Sequence, residues 1–162
     1  MLEKPSHEHF MQEALKQAQR AFDAEEVPVG AVVVYENRII AKAFNQMETL
    51  HDPTAHAEMI ALTAASEALA RGKDEHRGSL EGATLYVTLE PCPMCAGALV
   101  MTKCTNLVYG APDPRAGACG SMYNIVQDDR FNHRLKLTKG ILEEPSRSLL
   151  QAFFRSLRKD MR

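Results

Sequence analysis

No apolar run among the 162 residues approaches the roughly 20 that a helix needs to cross a bilayer. Met1-Leu2-Glu3-Lys4-Pro5-Ser6 has none of the apolar core of a signal peptide and leads straight into a polar helical pattern. No membrane association and a cytoplasmic location are therefore expected. Repeats, low-complexity segments and Pro/Gly/Ser-rich linkers are missing too, so a single domain over residues 1–162 is expected. A formal net charge of −2 carries no overall signal for nucleic acid. Cysteine is sparse: Cys92, Cys95, Cys104 and Cys119 are the only four. In a cytosolic chain the C-x-x-C pair formed by the first two reads as a metal or redox site before it reads as a disulfide. Cys104 and Cys119 read as small buried residues.

The charge that is present lies unevenly. Arg130 to Arg162 holds nine Lys/Arg against Glu143, Glu144 and Asp160, a net of +6, which leaves −8 on the rest of the chain. A basic C-terminal third suits a phosphate-binding surface, and it also suits a solvated basic helix face.

Periodicity places a helix over about Ser6–Glu25, where Phe10, Met11, Leu15, Ala18 and Phe22 recur at helical spacing. Ala31–Tyr35 and Arg38–Phe44 read as a hairpin around Glu36-Asn37. Asp52-Pro53-Thr54 signals the start of a second helix that Gly72 stops. A charged loop over Lys73–Gly82 precedes a strand at Thr84–Leu89, and a third helix starts at Pro91 or Cys92. Short strands follow at Leu107–Tyr109 and Leu135–Thr138. A last helix runs from Pro145 to about Arg158. Strand–helix–strand units require parallel pairing and the hairpin is antiparallel, so a mixed sheet with helices on both faces is expected.

The chemistry lies in His56-Ala57-Glu58 and Pro91-Cys92-Pro93-Met94-Cys95. His56, Cys92 and Cys95 supply three zinc ligands and leave a fourth position open. A C-x-x-C pair alone also fits a redox or structural half-site; the His-x-Glu run at another helix start is what points to an open metal site. Two thiolates gain from the N–H groups and dipole of a helix N-terminus. No second C-x-x-C exists to close the coordination, and Cys104, Cys119, His51 and His133 have no recognisable spacing to the ligands. An open zinc position beside a carboxylate makes a hydroxide nucleophile at neutral pH, with Glu58 as the group that moves protons.

At these residues the chain resembles the cytidine/deoxycytidylate deaminase superfamily, whose zinc site is known to have this pattern. Within it, the chain is similar to the bacterial tRNA-specific adenosine deaminases. Val27–Val34, Asn45, His51–Glu58, Leu85–Ala98, Gly117–Ser121, Asn132-His133-Arg134 and Phe153-Phe154-Arg155 carry the likeness. It implies an α/β fold of three layers, α-β-α, with a five-stranded mixed sheet, assembled as a homodimer. It implies one Zn2+ per chain and an anticodon stem-loop of tRNA as substrate, whose wobble adenosine becomes inosine by zinc-hydroxide attack with Glu58 as proton shuttle. Asn45 would bond the purine edge, with Val29 and the backbone of Ala57 around the base. Asp113, Phe153, Phe154, Arg155 and Arg158 would meet the anticodon loop. A core stripe at Phe153-Phe154, a solvated face at Arg155 and Arg158, and a turn residue at Asn45 are the alternative readings. The stretch from Leu69 to Gly82 is longer than the family pattern.

Two rival functions share part of the pattern. A guanine or nucleoside deaminase would use the same zinc and Glu58 but has no use for a basic, aromatic last helix. A non-catalytic zinc-stabilised RNA-binding subunit would be expected to lack the proton shuttle, and Glu58 is present.

Overall fold

The computed structural model describes residues 3–161. Met1 and Leu2 of the expected leaderless start, and Arg162 of the basic C-terminal count, lie outside the described residues.

Helix α1 (His7–Asp23) starts where the Ser6 hydroxyl accepts the His9 N–H, and it buries Phe10, Met11, Ala14, Ala18 and Ala21 along one face. Strands β1 (Gly30–Tyr35) and β2 (Arg38–Phe44) form the expected hairpin. Glu36 and Asn37 turn it with positive φ at both positions, as a tight two-residue hairpin turn requires. Then come α2 (Ala57–Ala70), β3 (Thr84–Leu89), α3 (Pro93–Met101) and β4 (Asn106–Ala111). A one-turn 3-10 segment at Ile125–Gln127, β5 (Lys136–Lys139) and α4 (Glu143–Asp160) complete the described chain.

The sheet order is β2-β1-β3-β4-β5. β1 pairs antiparallel with β2 and β3, while β3, β4 and β5 are parallel. Side-chain alternation along β1 assigns the two faces. Val32 and Val34 join Tyr86 and Val108 beneath α1, the side on which Phe153 of α4 meets Phe22 of α1. Ala31 and Val33 join Leu85, Val87 and Leu107 beneath α2 and α3. The result is the expected three-layer mixed sheet. Gly30 fixes the seat of α1: a Cβ there would lie 2.0 Å from the Ala14 carbonyl oxygen, so the helix backbone rests on the start of β1.

Helix starts depart from the sequence reading in two places. The second helix begins at Ala57 instead of Thr54. Asp52 Oδ1 accepts both the N–H and the hydroxyl of Thr54 at 2.8 Å, closing a side-chain turn before the helix opens. The last helix begins at Glu143 instead of Pro145, with Leu142 in the left-handed region at φ 54°. Pro145 is its third residue, where a backbone N–H has no intrahelical partner to lose. The 3-10 segment is too short for periodicity to reveal.

Candidate metal centre

β3 ends at Leu89, and the chain passes through Glu90 and Pro91 into α3. Cys92 is the N-cap of α3, Pro93 its first residue and Cys95 its third. Across from them His56 is the N-cap of α2, its backbone extended at φ −71° and ψ 149°. Two helix starts therefore meet beyond the carboxyl end of β3, on the same face of the sheet.

The three ligand atoms lie within 4.8 Å of one another. His56 Nδ1 is 3.6 Å from Cys92 Sγ and 3.5 Å from Cys95 Sγ. Zinc–nitrogen and zinc–sulfur bonds of about 2.05 and 2.3 Å at a tetrahedral angle put N and S about 3.6 Å apart. The donor set therefore fits a tetrahedral zinc ion in both chemistry and spacing. His56 and Cys92 are half-buried and Cys95 is fully buried. Among the described residues no fourth His, Cys, Asp or Glu joins the cluster.

The sulfurs compete for one proton. A hydrogen bond from Cys95 holds the Cys92 thiol down to about 4, with His56 adding to the effect. Cys95, the donor in that bond and itself buried, is pushed far upward. A bound dication removes the competition by taking both as thiolates. His56 is raised, chiefly by its hydrogen bond to Cys92. Glu58 is the second residue of α2, with 4% of its surface exposed. Burial pushes its carboxyl up, opposed by its own backbone N–H, a hydrogen bond from Cys95 and the charge of His56. A carboxyl raised toward neutrality beside the ligands is suited to taking and returning protons.

The other expected site residues occupy three places. Asn45 is buried just after β2, its N–H on the Val29 carbonyl at 3.0 Å, and Gln46 N–H reaches Ala55 O at 3.0 Å. Those two bonds bring Val29, Asn45 and the His56-Ala57 helix start together. Ala57 is fully buried as the first residue of α2. Asn45 also lines a groove of about 880 Å3, with Phe22, Phe153 and Leu157 among its other lining residues. Phe153 is 7% exposed and packs edge-on against Phe22 at 6.0 Å; Phe154 is the exposed ring. Arg155 and Arg158 are exposed on α4. Arg130, Arg134 and Arg147 are paired locally with Asp128, Asp129 and the Glu143/Glu144 pair. Among the described residues Lys136, Lys139, Arg155, Arg158 and Lys159 have no such partner. Asp113 lies in the loop after β4, where its Oδ1 accepts the N–H groups of Arg115 and Ala116.

Sequence reasoning passed over two buried acids. Glu26 is 1% exposed and accepts the Glu48 N–H and both donors of Thr49, fastening the loop that follows Asn45. Burial pushes its carboxyl up, but these three donors outweigh it and hold it below 4.5. Glu90 is 2% exposed and accepts four bonds from residues 113–121. Glutamate is ordinarily a surface residue, so neither was conspicuous. The one available sign was position: Glu26 precedes Val27-Pro28-Val29-Gly30, and Glu90 precedes the C-x-x-C run.

Residues 4–111 match the cytidine and deoxycytidylate deaminase zinc-binding region. A tRNA-specific adenosine deaminase of Bacillus subtilis is 49% identical over 94% of this chain and 91% of its own. A structure solved in a study of A-to-I editing by tRNA:A34 deaminases at the wobble position has a TM-score of 0.79. It is 40% identical, covering 87% of this chain and 98% of that one. A guanine deaminase structure from Bacillus subtilis is more distant, at TM-score 0.59 and 35% identity, covering 67% of this chain and 66% of that one.

Proposed function

The chain belongs to the cytidine and deoxycytidylate deaminase zinc-binding family, and from that premise we propose that it is a tRNA adenosine deaminase converting wobble adenosine to inosine. The observation that carries the reading is the tetrahedral spacing of His56, Cys92 and Cys95 with buried Glu58 alongside. The substrate class is supported by the stronger likeness to tRNA adenosine deaminases than to a guanine deaminase.

His56, Cys92 and Cys95 would hold one zinc ion per chain, with the fourth position left for water. Bound there, a zinc ion would supply the Lewis acidity that makes water a nucleophile at neutral pH. Glu58 would take a proton from the attacking water and deliver it to the purine ring nitrogen. In a second transfer Glu58 would carry the proton of the hydroxyl added to the ring carbon to the amino group, so that the carbonyl forms as the carbon–nitrogen bond breaks and ammonia leaves. Asn45 bonds the purine edge, and Val29 and the Ala57 backbone enclose the ring. The target base must be unstacked to reach this depth, at a cost of a few kcal/mol. Contacts to neighbouring nucleotides offset that cost: Phe154 by apolar or stacking contact beside Phe153, and Arg155 and Arg158 at phosphates. Asp23, Glu25, Glu48 and Asp160 line the groove beside Asn45. Phosphates therefore keep to the α4 surface, and bases take the groove.

Among the described residues no helix is long and apolar enough to cross a membrane. A cytoplasmic homodimer is the assembly this reading carries. Met101, 84% exposed at the end of α3, and Tyr123, 56% exposed, are apolar surface of the kind a partner subunit covers.

An anticodon stem-loop with wobble adenosine, free adenosine, cytidine and guanine, each assayed for ammonia and deaminated product, test the function. The stem-loop is expected to be turned over far faster than the others. Rapid turnover of guanine with no inosine in any tRNA would replace this reading with a free-base deaminase.

A further inference from the structure

The segment after β4 has few strand partners, yet it sits against the residues that lead into the metal ligands. Glu90 N–H donates to Ala111 O and Ala118 N–H to Pro91 O, each at 2.8 Å. Between these two bonds the loop is folded around one side chain. Glu90 Oε1 accepts the Asp113 N–H at 3.0 Å and the Ser121 hydroxyl. Oε2 accepts the N–H groups of Cys119 at 3.1 Å and Ser121 at 3.0 Å. Contact with the loop backbone is direct: a Cβ on Gly117 would lie 2.3 Å from Glu90 Oε2.

We propose that Glu90 is a positioning residue, whose buried carboxylate shapes the Asp113–Ser121 loop and thereby sets its fit to the RNA beside the metal centre. The inference rests on the RNA reading above for its ligand, and on the four hydrogen bonds for its geometry. All four partners are donors, so only a side chain that accepts at both oxygens satisfies them. Glutamine would turn its NH2 group toward at least one N–H and leave that donor unpaired in the interior. An ordinary structural staple would spread its effect over stability alone. Glu90 instead joins the metal-ligand segment to a loop that would meet the nucleotides, so its loss falls on substrate binding.

The full-length zinc-loaded protein is compared with Glu90→Gln, Glu90→Asp and Ser121→Ala. Zinc content, kcat and KM for an anticodon stem-loop, and amide hydrogen exchange are measured. Glu90→Gln is expected to keep its zinc and raise KM by about tenfold or more, with kcat within about threefold. The amides of Asp113, Cys119 and Ser121 should exchange at least about tenfold faster while those of α2 stay as in wild type. Glu90→Asp should recover part of the KM, and Ser121→Ala should shift KM and exchange in the same direction by less. Unchanged KM with unchanged exchange would overturn the proposal, as would zinc loss from Glu90→Gln. If Glu90→Gln does not fold, Ser121→Ala decides by the same two readings. Failure of the wild type to edit the stem-loop would instead end the RNA reading; exchange at the three amides then decides whether Glu90 holds the loop.

Discussion

Glu58 and Phe153 are both buried, and burial has different consequences for the two. For Glu58 it raises the carboxyl, beside the ligands. Glu58→Gln is expected to keep zinc, measured by metal analysis, and to lower kcat by about a hundred- to ten-thousand-fold. Activity within a few-fold of wild type would mean that another group carries the protons. For Phe153 burial leaves little ring for RNA: it is 7% exposed and packs in a T-shaped pair with Phe22. Phe153→Ala is expected to cost about 3–5 kcal/mol in urea unfolding. Phe154→Ala should leave stability nearly unchanged and weaken stem-loop binding, because its ring is the exposed one. The reverse pattern would exchange the roles of the two rings.

At the scale of elements, the site is made from two helix starts and the loops beside them. Glu26 fixes one such loop through Glu48 and Thr49. Its folded pKa is depressed below 4.5, so its contribution is fully present above that value and is lost as pH falls through the folded pKa. Glu26→Gln should therefore be less stable than wild type at pH 7, and the gap should narrow at an acid pH below the depressed pKa of Glu26. Urea denaturation at both pH values checks this; a gap that widens in acid would contradict it. Helix α4 carries the charge argument. With Arg147 engaged by Glu143 and Glu144, Arg155 and Arg158 are the arginines of α4 left for phosphates. Replacing both with Ala should flatten the dependence of log Kd on log salt by about 1–2, leaving zinc in place. An unchanged slope would make them a solvated helix face.

For the whole molecule, a bound metal would tie together two helix starts that are far apart in sequence. His56 comes from α2, and Cys92 and Cys95 from the turn between β3 and α3. A ligand that binds the folded chain stabilises it in proportion to its differential affinity. Removing zinc with a chelator should lower the Tm of wild type, and restoring zinc should recover it. Cys92→Ala should show the lower Tm with or without chelator. A wild-type Tm indifferent to chelation would mean that the cluster contributes nothing to the folded state.

Much of this was legible in the chain because the signals are local. Hydrophobic periodicity marked α1, the hairpin and β3. Strand–helix–strand order required a mixed sheet, and two short runs named the three residues that cluster, His56, Cys92 and Cys95. Element starts were legible only to within a turn, since the Asp52–Thr54 turn and the left-handed Leu142 are decided by side-chain and backbone geometry. What tertiary structure alone decided is which groups lose their water. It brought His56 Nδ1 to 3.5 and 3.6 Å from two sulfurs distant in sequence. It divided Phe153 from Phe154, and it buried Glu26 and Glu90 among backbone donors. A carboxylate in sequence defaults to the surface. Only a fold that supplies enough N–H donors, at the end of the right strand, can hold one inside and use it to shape a loop.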